Sequence, residues 1–296
     1  MPGRSSQRMT EEMAQADGDL EDLIKLGPVK VRTDAPDVAA FAQALGFPDT
    51  FRSVPLTFPI RWLSLPNVRG EALRRLRYDQ AKIVHWFQSF EFLQALERDR
   101  DYSLEIAVRR NASKPGDISI RNVLRDSAGN PLVRLDTGLR ALVLRSGQKT
   151  SLRAPESTGE PALRLEFGPI DISQTRRYAA ASLDDNPIHI DIDVARAHGL
   201  PNVIAHGMMV MGKFELAITG WRRDVQITRL SATFLQPLIA SRSVALTGRL
   251  VKSRQSEGDE VSVLRLVAAT DRNEVVCIGD ASVRAIGGGA DNRLAS

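Results

Sequence analysis

Cysteine is almost missing from this sequence: Cys277 is alone among 296 residues. A single thiol forms no internal disulfide and supplies no Cys-based zinc site, and such scarcity fits a reducing compartment. Aromatic residues are also few, at 5%. No run of eighteen apolar residues occurs, and the opening MPGRSSQRMTEEMAQADGDLEDL lacks the apolar stretch of a signal peptide. These absences predict a soluble cytoplasmic chain with no membrane span. The excess of one charge sign is small as well, 40 Lys and Arg against 36 Asp and Glu, or 40 − 36 = +4. Mild basicity suits phosphate-bearing small molecules or an acidic carrier protein; it falls far short of the dense basic patches of a nucleic-acid binder. What is present is an ordinary globular composition, 43% hydrophobic and 26% charged, which is enough to bury a core. At roughly 150 residues per domain the length suggests about two domains.

Residues 1–30 read as a polar lead, residues 147–162, rich in Ser, Gly, Thr and Pro, as an interdomain linker, and residues 288–296 as a frayed tail. The two segments between them, 31–146 and 163–287, resemble each other. Phe92-Leu93-Gln94-Ala95-Leu96 matches Phe234-Leu235-Gln236-Pro237-Leu238 at an offset of 234 − 92 = 142. After each comes a strand of period-two alternation, through Tyr102, Leu104, Ile106 and Val108 or through Val244, Leu246, Gly248 and Leu250. A second strand follows from Ile118 or Val261, then a turn and a last strand. Helical patterns stand upstream in both, Pro36 to Leu45 and Ser173 to Leu183. Matching order at a fixed offset predicts duplication of one α+β unit. In the second unit, Gly207 to about Gly220 carries Met208, Met209, Met211, Phe214, Leu216 and Ala217 on nearly every side, so this helix has to be buried. A curved antiparallel sheet around one central helix is a hot dog fold, and two repeats predict a double hot dog.

The chemistry concentrates between Arg177 and Met208, where three of the four histidines lie. Asp184 follows a helical pattern that Pro187 forbids from continuing. The resulting turn folds Asp184 and His189 toward each other, and a carboxylate beside an imidazole can hold one water between two proton-transfer groups. Asn186 can fix the turn through local backbone bonds. Gly207 opens the buried helix, so its N–H lies at the positive end of the dipole with no side chain in the way, a suitable oxyanion donor. The combination suits addition of water to, or its removal from, a double bond conjugated to a thioester carbonyl.

Asp184-Asp185-Asn186-Pro187-Ile188-His189 fits the D-x-N-P-x-H signature, and His206-Gly207 the later H-G, of the MaoC-like, hydratase 2 group of (R)-specific enoyl thioester hydratases and dehydratases. The segments Val54–Pro59 and His85–Leu96 look like the first half of its double hot dog members. The resemblance implies a hydro-lyase interconverting trans-2-enoyl and (R)-3-hydroxyacyl thioesters of fatty-acyl metabolism, carried on coenzyme A or acyl carrier protein. It implies Asp184 and His189 as the catalytic pair, Gly207 as the oxyanion donor, and no cofactor or metal. The first half, without either motif, is then degenerate and non-catalytic and gives space to the acyl chain. Leu183 stands where the family has Gly; it adds bulk and removes a permissive backbone position, and is expected to narrow the acyl or water pocket or to shift Asp184. His206 either touches ligand or positions the turn before Gly207. His198 reads as a helix C-terminal residue, and His85 as a packing or edge residue ahead of a strand, with substrate contact the second choice. Asp191, Asp193, His198 and His206 match no familiar metal-ligand spacing. The competing readings are an inactive acyl-thioester-binding subunit and a hot dog thioesterase. An internal pseudo-dimer leaves open whether the chain pairs again as a homodimer.

Overall fold

A computed structural model describes residues 24–76, 83–111, 114–141, 160–256 and 259–286. The expected tail 288–296, residues 1–23 of the expected lead, and all but the last three residues of the expected linker 147–162 lie outside the described residues. Residues 24–30 correct the expectation of a lead that runs to residue 30. They open strand β1 (Ile24–Arg32), which pairs antiparallel with β3 (Asp101–Asn111). Its alternation is hidden in IKLGPVKVR because the register shifts between Leu26 and Val29, so the buried pair Leu26 and Val31 is out of period.

Helix α1 (Ala35–Leu45), a 3-10 segment (Phe58–Ser64) and α2 (Pro66–Leu76) precede β2 (Ile83–Phe92), β3, β4 (Lys114–Arg125) and β5 (Pro131–Ala141). The second repeat runs β6 (Leu163–Phe167), α3 (Ile172–Ser182), a 3-10 turn (Pro187–His189), α4 (Ile192–Ala197), α5 (Gly207–Trp221), β7 (Val225–Phe234), β8 (Val244–Ser256), β9 (Asp259–Thr270) and β10 (Val275–Ala285). All ten strands form one sheet of order β1-β3-β4-β5-β2-β7-β10-β9-β8-β6. Five strands come from each repeat, and β2 pairs antiparallel with β7 at the join. There Ser89 faces Ser231, and 231 − 89 = 142, so the residue opposite Ser89 is its own repeat equivalent and a pseudo-two-fold axis passes between them. Each repeat hides one edge of its sheet in the other. Register irregularities repeat too: β2 skips Trp86 against β5, and β7 skips Thr228 against β10.

On β3, Tyr102, Leu104, Ile106 and Val108 are all buried, as alternation predicts. On β8 the pattern holds through Val244 and Leu246, but Leu250 is 52% exposed. Leu250 keeps the regular register opposite Leu264, but it lies past Gly248, where the pairing of β8 with β6 ends.

Helix α5 is the buried helix of the second repeat, with Met208, Met209, Met211, Phe214 and Ala217 all buried. Gly212 lets α1 approach it: a Cβ there would lie 2.5 Å from a Leu45 methyl. The two charged residues of α5 serve the same junction. Lys213 Nζ donates to the Leu45 carbonyl at 2.5 Å, at the C-terminus of α1, and Glu215 Oε2 accepts from the Leu56 N–H at 2.8 Å. Helix α2, at the corresponding place in the first repeat, buries only Val68 among residues 66–75. It stands off the sheet, and the space so left becomes the cavity described next. Among the described residues no helix is long and apolar enough to cross a membrane.

Candidate active site

A cavity of about 690 Å³ lies between the two repeats. Tyr178, Asp184, Asn186, His189 and Gly207 line it from the second repeat, and α2, β2, β4 and β5 from the first. The local sequence explains how the chain reaches it. A capping box starts α3, with Asp171 Oδ1 accepting from the Gln174 N–H and Gln174 Oε1 accepting from the Asp171 N–H, each at 2.8 Å. The helix ends at Leu183 in the left-handed region, φ 60 and ψ 11. Beyond it the Asn186 N–H donates to Asp184 Oδ1 at 3.4 Å, and Asn186 Oδ1 accepts from the Ile188 N–H at 3.4 Å. Asn186 Nδ2 donates to the Ile83 carbonyl of β2 at 3.2 Å. The turn-fixing residue therefore also fastens the turn to the other repeat.

His189 and His206 stack, ring centroids 3.8 Å apart and planes 28° apart. His189 Nδ1 donates to the Ile204 carbonyl at 2.8 Å, which leaves its Nε2 with the lone pair. His206 Nε2 donates to the backbone carbonyl of Asp184 at 2.9 Å. The cavity lining omits His206, so of its two expected roles the geometry supports positioning: it holds the Asp184 backbone and packs against the His189 ring. The first repeat braces the same loop. Arg69 of α2 donates to Asp185 Oδ1 at 2.6 Å and to the Leu183 carbonyl at 3.3 Å, and Arg61 donates to the Ala181 carbonyl.

The electrostatics follow from burial. Burial lowers His189 below the usual histidine range, against the opposing pull of Asp184. It pushes His206 to about 3 and His85 to about 4. Burial opposes ionisation of Asp184 too, yet the surrounding imidazoles of His206, His189 and His85 outweigh it and hold the carboxyl below its ordinary value. At neutral pH the site is thus one carboxylate among neutral imidazoles.

Gly207 heads α5 with no side-chain cap on the helix N-terminus, and it lines the cavity. A Cβ there would press the Phe234 ring at 3.1 Å. Asp184, His189, Asn186 and Gly207 are thus brought together, whereas Leu183 does not line the cavity. Its expected effect as a bulky wall is not seen; it shapes the site through its backbone. His198 caps α4, its Nδ1 donating to the Val194 carbonyl at 2.9 Å, and Asp191 caps the other end, so these two hold no common centre with His206. Among the described residues Asp184, His189 and His206 place one ligand atom each within 4.8 Å of one another. One nitrogen of each ring is already taken up by a backbone carbonyl, which leaves His189 Nε2 and His206 Nδ1 beside the carboxylate.

Sequence reasoning missed Arg69 and Tyr178, and gave His85 substrate contact only as the second choice. His85 lies inside β2, not ahead of it, lines the cavity, and has a buried Nε2 without a partner. Nothing within its own segment signals this. Arg69 is likewise brought in by tertiary packing alone. Tyr178 was legible: it and Ser182 are four apart on one face of α3, and both line the cavity. Its ring lies 5.0 Å from that of His206, and its hydroxyl is buried without a partner.

Known proteins resemble this arrangement. Residues 154–272 match the family described as MaoC like domain. The 3-hydroxyacyl-thioester dehydratase X of Mycobacterium tuberculosis is 36% identical over 86 residues, which span 29% of this chain and 29% of that protein. A solved structure titled MaoC-like dehydratase superposes with a TM-score of 0.70 at 16% identity, covering 91% of this chain and 99% of the other. A conserved hypothetical protein of Mycobacterium tuberculosis, described as having a double hotdog fold, superposes with a TM-score of 0.60 at 12% identity over 90% of this chain and 97% of that one. At those identities the two structures speak for the fold, and the fold is a double hot dog. The family match thus falls within the second half of the chain, where residues 154–272 are similar to the MaoC like domain and include the D-x-N-P-x-H turn seated at the cavity.

Proposed function

We propose that this protein interconverts trans-2-enoyl and (R)-3-hydroxyacyl thioesters, with the acyl group on coenzyme A or acyl carrier protein. The observation that carries the reading is convergence: the Asp184 carboxylate, the free Nε2 of His189 and the head of α5 at Gly207 share one cavity. In hydration the Asp184–His189 pair holds a water and takes one of its protons as the oxygen attacks the β-carbon. A proton returns from the same pair to the α-carbon, so the pair ends as it began. The Gly207 N–H donates to the thioester oxygen as enolate charge grows there, where a preorganised donor counts most. Proton transfer is shared between two close groups and belongs to the pair as a unit. The first repeat is non-catalytic by this reading: it braces the loop and gives room to the acyl chain.

Crotonyl-CoA tests the proposal. Loss of the enoyl-thioester absorbance without release of free thiol is the expected result. Thiol release would instead mean thioester hydrolysis, and no change in either signal across a series of chain lengths would mean a binding role. Asp184→Asn and His189→Gln are each expected to lower kcat by about a hundredfold or more with the fold intact, the size of one general acid–base group. Wild-type rates in either variant would remove the assignment.

A further inference from the structure

The strand registers allow the two inner faces to be compared position by position. Gln88 faces Thr137 across β2 and β5, as Leu230 faces Ala281 across β7 and β10. One step along, Asn122 faces Leu135, as Leu266 faces Gly279. His85 and Ile227 match at the 142-residue offset, just before the shared irregularity. The first repeat therefore has His85, Gln88, Thr137 and Asn122 where the second has Ile227, Leu230, Ala281 and Leu266, all four of them buried. The second repeat's face is covered by α5, with Phe214 against Gly279. The first repeat's face opens onto the cavity through His85, Ile120 and Thr137.

Gln88 is satisfied, its Nε2 donating to the Ser89 carbonyl at 3.2 Å, but the other three are not fully so. Thr137 Oγ1 donates to Gln88 Oε1 at 2.8 Å, and the lone pairs of the hydroxyl remain open. His85 Nε2 and both amide atoms of Asn122 are buried with no partner. An apolar residue folds well at each matching place in the sister repeat, and an unmade buried hydrogen bond is unfavourable. Of the four, His85 and Thr137 line the cavity, and their polarity is placed to meet something that it holds.

We propose that the first repeat's wall recognises an oxygen on the distal acyl chain, making the preferred substrates acyl thioesters with a hydroxyl or keto group several carbons beyond the reacting pair. This deepens the hydratase–dehydratase reading and rests on it for the orientation of the chain. With a strand rise of about 3.3 Å per residue, Thr137, opposite Gln88, lies roughly 7–10 Å along the wall from His85, within reach of an extended acyl group.

Saturated thioesters test the wall apart from turnover, because they contain no double bond to hydrate. Calorimetry compares decanoyl-CoA with analogues that carry one hydroxyl or keto group at the fifth, seventh or ninth carbon. At least one oxygenated analogue is expected to bind about tenfold more tightly, the worth of one good buried hydrogen bond. The double replacement Gln88→Leu with Thr137→Val removes both members of the pair, so neither is left facing a missing partner, and it is expected to bring that ratio close to one. Equal or tighter binding of decanoyl-CoA by the unmodified protein overturns the proposal, and so does a preference that survives the double replacement or no binding by any analogue. The unmodified protein decides the matter even where the double variant does not fold. Failure of the hydratase reading shows separately, as intact crotonyl-CoA.

Discussion

Leu183 offers the most direct test of how the site is built. It ends α3 at φ 60 and ψ 11, in the left-handed region. Its counterpart at the end of α1, a helix of the same 11 residues, is Gly46 at φ 80 and ψ 23. For an L-residue this conformation costs about 1–2 kcal/mol. Leu183→Gly relieves that strain but returns about 0.5–1 kcal/mol as backbone entropy in the unfolded chain. It also forfeits the contacts of a half-buried leucine, about 1 kcal/mol. These effects cancel, so the Gly variant is expected to lie within about 1 kcal/mol of wild type. Leu183→Ala keeps the strain and loses the contacts, and is expected to be about 1 kcal/mol less stable than the Gly variant. Urea denaturation at fixed pH measures both. Because the side chain stays out of the cavity lining, the Gly variant's acyl chain-length profile is expected to superimpose on that of wild type. An alanine variant as stable as the glycine one would refute the role of the left-handed cap. A shifted chain-length profile would refute the placement of the side chain.

Three further outcomes follow from burial and close packing. Burial raises Glu215 from 4.5 to about 8, so its contribution to stability is full below the ordinary value and is lost as pH rises through about 8. Glu215→Gln, which keeps the acceptor for Leu56, is expected to gain on wild type over that window by up to a few kcal/mol, read from urea midpoints across pH. Burial lowers His85 and His206 from 6.5 to about 4 and about 3. Their neutral forms support the fold above the ordinary value, so stability is expected to fall as pH drops from 6.5 toward those values, and double His85→Leu, His206→Leu replacement should flatten the slope. Gly207→Ala, with its Cβ 3.1 Å from Phe234, is expected to lower kcat about tenfold or more, while stability changes by about 1 kcal/mol or less as the ring shifts into the cavity. Equal losses of rate and stability would show that Gly207 serves packing alone.

Much of the second repeat was legible because its determinants are local. The apolar surround of Met208 to Ala217 required a buried helix, and α5 is one. Pro187 required α3 to have stopped, and Asn186 supplied the turn that carries Asp184 toward His189. The alternation on β3 read correctly because its register with β4 is regular over those residues; on β8 it failed at Leu250, which lies past the end of the pairing with β6. β1 escaped notice because a register shift broke its period. Leu183 was recognised as a departure in both bulk and backbone freedom, and its φ shows the backbone to be the side that matters.

By itself the sequence determined the duplication, the element order and the D-x-N-P-x-H turn, since each depends on residues within a few positions of one another or on a fixed offset. Tertiary structure alone decided that β2 and β7 join the repeats around Ser89 and Ser231, and that α2 stands off its sheet where α5 does not. It also decided that His85 and Arg69 reach a site whose signature lies about a hundred residues away. Those contacts depend on how two sheets and their helices share one volume, and no periodicity along the chain encodes that sum.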